Sequence, residues 1–226
     1  MISLATIAIC LMLTTKAYSQ NMADIIRQMP DSIIPVLTKN NRLDFIDYMN
    51  SDMKAEVLNR FNQKSEMTTL TPDFAKIRTT GNSDIAIKLL TNETDTIICL
   101  ISTDTSTTSD SRIKFYTTQW EELITSKFIT LPKSDEFFTH PENMSAEEYQ
   151  NLRNKADITF LKAEFATNSP DLIITYTTPS YMSDEDSTAI SPLLCPIIKI
   201  KWQENKFIRE QYTKLHPIIY TTNSAS

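Results

Sequence analysis

A single glycine, Gly81, in a chain of 226 residues constrains this protein more than any other feature. Average usage puts glycine at roughly 7% of a sequence. Glycine enters left-handed backbone conformations at no steric cost and lets a backbone approach a phosphate closely. With one glycine the chain has neither a Walker-type nor a dinucleotide-type phosphate loop. Histidine is almost as scarce, and with only His140 and His216 a multi-histidine metal site is excluded. No cofactor is called for by anything in the sequence.

The first nineteen residues read as a signal peptide. Leu4 to Leu13 is apolar except for Thr6, a polar stretch follows, and Ala17-x-Ser19 is a small-x-small cleavage site before Gln20. The run is about half the ~20 residues that span a bilayer. The segment before it, Met1-Ile2-Ser3, departs from the usual pattern in lacking Lys or Arg. Cys10 follows Ile9 and sits in the middle of the run, which is the wrong place for lipidation, so it leaves with the signal. Removal also takes Lys16, moving the net charge from −6 to −7. An acidic chain with no Lys/Arg cluster has no electrostatic footprint for nucleic acid, and no transmembrane helix is expected after cleavage. The expected location is extracytoplasmic, in the periplasm or at the cell surface.

Residues 20–226 are large enough for one core or two small ones and read as one α+β domain, with a sub-boundary near 127–144. Residues 22–38 read as two helical turns punctuated by Pro30 and Pro35. The spacing of Leu43, Ile46, Met49, Met53, Val57 and Phe61 predicts a helix over 41–61, capped by Asn40 or Asn41, with Glu56 and Arg60 as an i,i+4 pair. The period then changes. Strands are expected at 67–71, 74–80, 84–90, 96–103 and 112–118, joined by short turns as an antiparallel meander. The polar stretch Thr103–Ser111 reads as a mobile hairpin tip. Ser145 and Glu148 open a second helix. Strands resume at 158–166 and 171–178, and a last hairpin, 197–202 with 206–211, turns at Glu204-Asn205. Arg112–Thr118 and Leu172–Thr178 both end in Tyr-Thr-Thr, which raises two helix-plus-hairpin halves as one explanation and chance as the other.

Two cysteines remain after cleavage. In an oxidising compartment Cys99 and Cys195 invite a disulfide. Their apolar neighbours, Ile97-Ile98-Cys99-Leu100-Ile101 and Leu193-Leu194-Cys195-Pro196-Ile197, favour two buried free thiols instead. Neither has the exposed, basic setting of a thiolate nucleophile. Both histidines precede proline in loops and lack a serine elbow or an orienting acid. Asp184-Glu185-Asp186 is contiguous and glycine-free, unlike a calcium loop, and Ser183 with Asp186 reads as a helix N-cap. Asn92 and Asn143 match the N-glycosylation pattern. No pair among the 28 acids stands out for glycoside hydrolysis.

The run Met29–Met49, with Met53-Lys54-Ala55-Glu56-Val57, Asn59-Arg60 and Lys64–Thr71, resembles a family of secreted Bacteroidales proteins known only as domain of unknown function 3256. The Phe115-Tyr116 strand and the Trp202 hairpin extend the resemblance over nearly the whole mature chain. Gln63 stands where members often have glycine. Membership implies an extracytoplasmic protein of gut or oral anaerobes and implies no reaction. In such bacteria Asp-Ser/Thr-apolar triplets can be O-glycosylated; Asp31-Ser32-Ile33 is the better match and Asp95-Thr96-Ile97 the poorer, while Ser32 also reads as a helix cap.

These readings converge on N-terminal helices packed on an antiparallel β-sheet, in a non-enzymatic binding or envelope-associated module whose partner is a protein or a small envelope ligand. The alternatives are a carboxylate-dependent envelope hydrolase and a subunit that docks through the apolar stripe Met22–Leu37.

Overall fold

The computed structural model describes residues 21–91 and 95–209, and in it the stripe Met22–Leu37 is buried on the chain's own sheet. The signal segment 1–19, Cys10, Asn92 and His216 lie outside the described residues. Helix α1 (Met22–Gln28) turns Met22, Ile25 and Ile26 inward. The indole Nε1–H of Trp120 donates to the Ile25 carbonyl at 3.0 Å, tying the helix to the sheet. The alternative in which this stripe docks on another protein is therefore corrected: its apolar face packs in one core with Met67, Ile77, Ile87, Ile98 and Leu100.

Helix α2 (Lys39–Asn50) is shorter than its periodicity implies. Its cap is Thr38, whose hydroxyl accepts from Asn41 N–H at 3.1 Å while the Asn41 carboxamide oxygen accepts from Thr38 N–H at 3.0 Å. The helix stops because Asp52 adopts a left-handed φ of 52°. Beyond it, Val57 belongs to strand β1 (Glu56–Leu58), and Met53 and Phe61 are exposed. Glu56 and Arg60 are not a helical pair: Glu56 meets Lys54 and Lys64, and Arg60 meets Asp31. A three-to-four spacing that crosses a helix end is chance, and only the positive-φ residue marks the break.

The meander expected from the strand spacing is present. Strands β1, β2 (Lys64–Leu70), β3 (Phe74–Thr80), β4 (Ser83–Thr91), β5 (Thr96–Asp104), β6 (Asp110–Thr117) and β7 (Glu122–Leu123) form one antiparallel sheet in chain order. Central β5 buries both faces. Ile98 and Leu100 enter the core under the helices, while Ile97, Cys99 and Ile101 enter a second core. That double burial explains its continuous apolar run, which in a one-sided antiparallel strand would alternate.

The second core lies against a smaller sheet of β8 (Leu161–Phe165), β9 (Leu172–Tyr176), β10 (Ile197–Gln203) and β11 (Lys206–Arg209), again antiparallel and in chain order. Helix α3 (Ala146–Arg153) is capped by Ser145 as expected, and Tyr149 and Leu152 are half-buried. Helix α4 (Asp184–Ile190) precedes β10. The stretch 127–144 is packed rather than loose: Ile129, Phe137 and Phe138 are buried in the second core. The fold is α+β, with four helices among the described residues, and none of them is long and apolar enough to cross a membrane.

The glycine scarcity has a structural answer. Left-handed positions are held by Asp52, Asn62, Asn168, Asn205, Glu204 and Trp120, and Gly81 is not among them. Asn and Asp tolerate that region best after glycine. Glu204 and Asn205 both have positive φ, the turn that twists correctly for the β10–β11 hairpin.

Candidate functional site

Most residues that the sequence marks as reactive serve structure. Asp184, Glu185 and Asp186 occupy the first turn of α4, where the helix dipole favours acids. Ser183 Oγ accepts from Asp186 N–H at 3.1 Å, and the Asp186 carboxylate pairs with Lys155. No cluster of three potential metal ligands occurs among the described residues. His140 is exposed with its ring 4.7 Å from that of Tyr149. Cys99 and Cys195 are both free thiols; Cys99 is fully buried, and burial pushes its thiol far above the ordinary range. Cys195 is half-buried, with Sγ 3.4 Å from Thr139 Oγ1.

Ser32 is exposed in the turn between α1 and α2, and it does not cap α2. Its neighbour Asp31 takes Arg42 at 2.8 Å and Arg60 at 2.6 Å. The hydrogen bond from Arg42 leads the causes that hold the Asp31 carboxyl below its usual value. Arg42 itself is buried, donating to the carbonyls of Met29 at 2.6 Å and Leu37 at 3.3 Å. Its Nε–H finds no partner. This cluster locks the α1–α2 junction.

A half-open groove of about 450 Å³ lies beside the β5–β6 turn. The turn expected to be a mobile tip is in fact the seam between the two sheets, because its polar groups reach across. Thr108 Oγ1–H donates to the Thr177 carbonyl at 2.9 Å, and Thr177 Oγ1–H donates to the Ser109 carbonyl at 2.5 Å. Strand β8 is the edge of the small sheet, and its outward N–H groups are taken by β6 side chains. Leu161 N–H donates to Asp110 Oδ1 at 3.2 Å and Ala163 N–H to Ser111 Oγ at 3.0 Å. Side chains thereby cover an edge that would otherwise template another strand.

Two cross-strand pairs, Ser102 with Arg112 and Asp104 with Asp110, line one wall of the groove. The other wall is aromatic. Phe160 and Tyr181 stand with ring centroids 5.3 Å apart, and Tyr181 is 52% exposed. Both are anchored through backbone: Phe160 N–H donates to Thr178 Oγ1 at 2.9 Å and Tyr181 N–H to the Thr178 carbonyl at 2.9 Å. Hydrogen bonds from the Ser106 side chain and backbone hold the Asp104 carboxyl below its usual value. Arg112 is exposed and has no ion pair among the described residues. Sequence reasoning missed this site because its two walls come from separate segments, 102–112 and 160–181, and nothing in either announces the other.

A family model described as a protein of unknown function (DUF3256) matches residues 14–207. No curated protein matches the chain. Among solved structures, a domain of an uncharacterized protein from Porphyromonas gingivalis W83 superposes with a TM-score of 0.73 at 23% identity, covering 84% of this chain and 98% of that one. At that identity the likeness carries the fold alone.

Proposed function

The chain belongs to the DUF3256 family, whose description assigns no activity, and from that premise we propose that it is an extracytoplasmic, non-enzymatic binding module whose ligand sits in the β5–β6 groove. The groove carries the reading: it falls within the 300–1,000 Å³ range of ligand sites and combines an aromatic wall with converging polar groups. The extracytoplasmic location rests on the apolar run 4–13 and the Ala17-x-Ser19 site. In the same reading exposed Ser32 stays a candidate for O-glycosylation.

One observation speaks for the hydrolase alternative, which is that Asp104 and Asp110 are direct cross-strand partners at the groove. Two others weigh against it. Asp104 is held ionised by Ser106, whereas a general acid needs its pKa raised. Asp110 is engaged by the β8 backbone.

Native mass spectrometry of protein recovered from the envelope fraction tests the proposal. The expected result is a chain beginning at Gln20 with a bound small mass that the Arg112→Ala/Tyr181→Ala variant loses. Recovery of the protein in the cytoplasm, or turnover of an envelope polymer abolished by Asp104→Asn, would overturn it.

A further inference from the structure

Resting on that binding reading, we infer that the groove takes an uncharged pyranose unit of a saccharide chain. Three features select this class.

The first is the aromatic wall. Tyr181 leaves half its surface open to solvent while its backbone is fixed by the 3-10 turn Thr178–Ser180 and its ring rests against Phe160. A ring kept exposed and held in place is a preformed apolar platform with a polar tip. The C–H face of a pyranose matches such a platform in size and polarity.

The second is the charge balance. Asp104, Asp110 and Arg112 line the same groove, so it has carboxylate acceptors and a guanidinium donor together. An anionic ligand would meet two carboxylates, and a cation would meet the unpaired Arg112. A neutral polyol meets neither penalty: its hydroxyls donate to carboxylate oxygens and accept from the guanidinium. Each carboxylate has capacity left among its roughly four lone-pair sites: Asp104 accepts the Ser106 N–H and the Ser106 side chain, and Asp110 accepts the Leu161 N–H through Oδ1.

The third is the hydroxyl density of the rim. Ser106, Thr107 and Thr108 border the opening. The Ser106 and Thr108 hydroxyls donate to Asp104 and Thr177 and keep lone pairs to accept from a ligand hydroxyl. The half-open shape fits one or two units of a chain that continues into solvent.

The test is an amide-resonance titration of the purified protein with neutral β-1,4-linked tetrasaccharides of glucose, xylose, mannose and N-acetylglucosamine, with tetragalacturonate as the anionic arm. At least one neutral tetrasaccharide is expected to shift Thr107, Thr108 and Phe160. Tyr181→Ala should weaken that binding about fivefold or more, in line with a single aromatic contact. Tyr181→Phe should retain it, separating a lost platform from a lost fold. Tighter binding of tetragalacturonate in the groove would overturn the uncharged class and leave the groove reading standing. No groove shift with any tetrasaccharide would overturn the saccharide class, while the bound mass in the native spectrum still decides the groove reading on its own.

Discussion

Arg42 Nη2 lies 2.8 Å from Asp31 Oδ1, so a buried guanidinium is neutralised by a carboxylate that stands in solvent. The arrangement sets a pH limit. The folded-state pKa of Asp31 is lowered from 3.8. Stability from the pair is therefore fully present above the unfolded value and is lost as pH falls through the folded one. Glu56, held at about 2 by hydrogen bonds from Lys54 and then Lys64, acts in the same direction. Urea midpoints should be level from pH 7 to about 5 and fall below pH 4. Asp31→Asn should lower the midpoint at pH 7 and make the acid limb shallower.

Cysteine reactivity should split sharply. Cys99 is fully buried with its thiol pushed up, and Cys195 is half-buried. Maleimide applied to the folded protein is expected to label Cys195 and spare Cys99, with Cys99 reacting only after denaturation. An intact mass short by two hydrogens would instead show the pair oxidised.

The β8 edge depends on two side chains. Asp110→Ala with Ser111→Ala removes the acceptors for Leu161 and Ala163 N–H. Each lost hydrogen bond should cost about 1 kcal/mol. The bared edge should also promote self-association, visible as a concentration-dependent sedimentation coefficient.

Gly81 is dispensable. No heavy atom lies within 4 Å of where its Cβ would sit, and its φ is not positive. Gly81→Ala should be neutral or stabilising by up to about 1 kcal/mol, through the unfolded chain. Asn62→Ala, at φ 57°, should instead cost about 1 kcal/mol. Thermal unfolding of both variants reads the contrast.

The elements legible in the sequence are those whose signal is local. The β2–β6 strands and the β10–β11 turn at Glu204-Asn205 are read from alternation and turn residues, and Ser145 and Ser183 from cap spacing. The end of α2 was not legible, because Met53, Val57 and Phe61 continue a helical spacing after Asp52 has broken the helix. Nor was the cover over the stripe Met22–Leu37, since an apolar face looks the same whether its partner lies within the chain or outside it. The groove was invisible for a related reason. Asp104 and Asp110 read as part of a polar hairpin tip and Phe160 as part of a strand over 158–166, and nothing links them to Tyr181 until the Thr108–Thr177 contact joins the two segments.

Both sheets follow chain order, so every strand pairs with one made just before it. A chain emerging end first can lay down each ladder as it arrives, with little search, and only the β9–β10 pair waits for a longer connection through α4. The exception is α1. It comes first, yet the Trp120 indole that clasps it comes about a hundred residues later. The clasp on α1 thus closes late, and a chain halted before Trp120 lacks the indole that ties the helix to the sheet, leaving that end loose to whatever chaperone or protease is near.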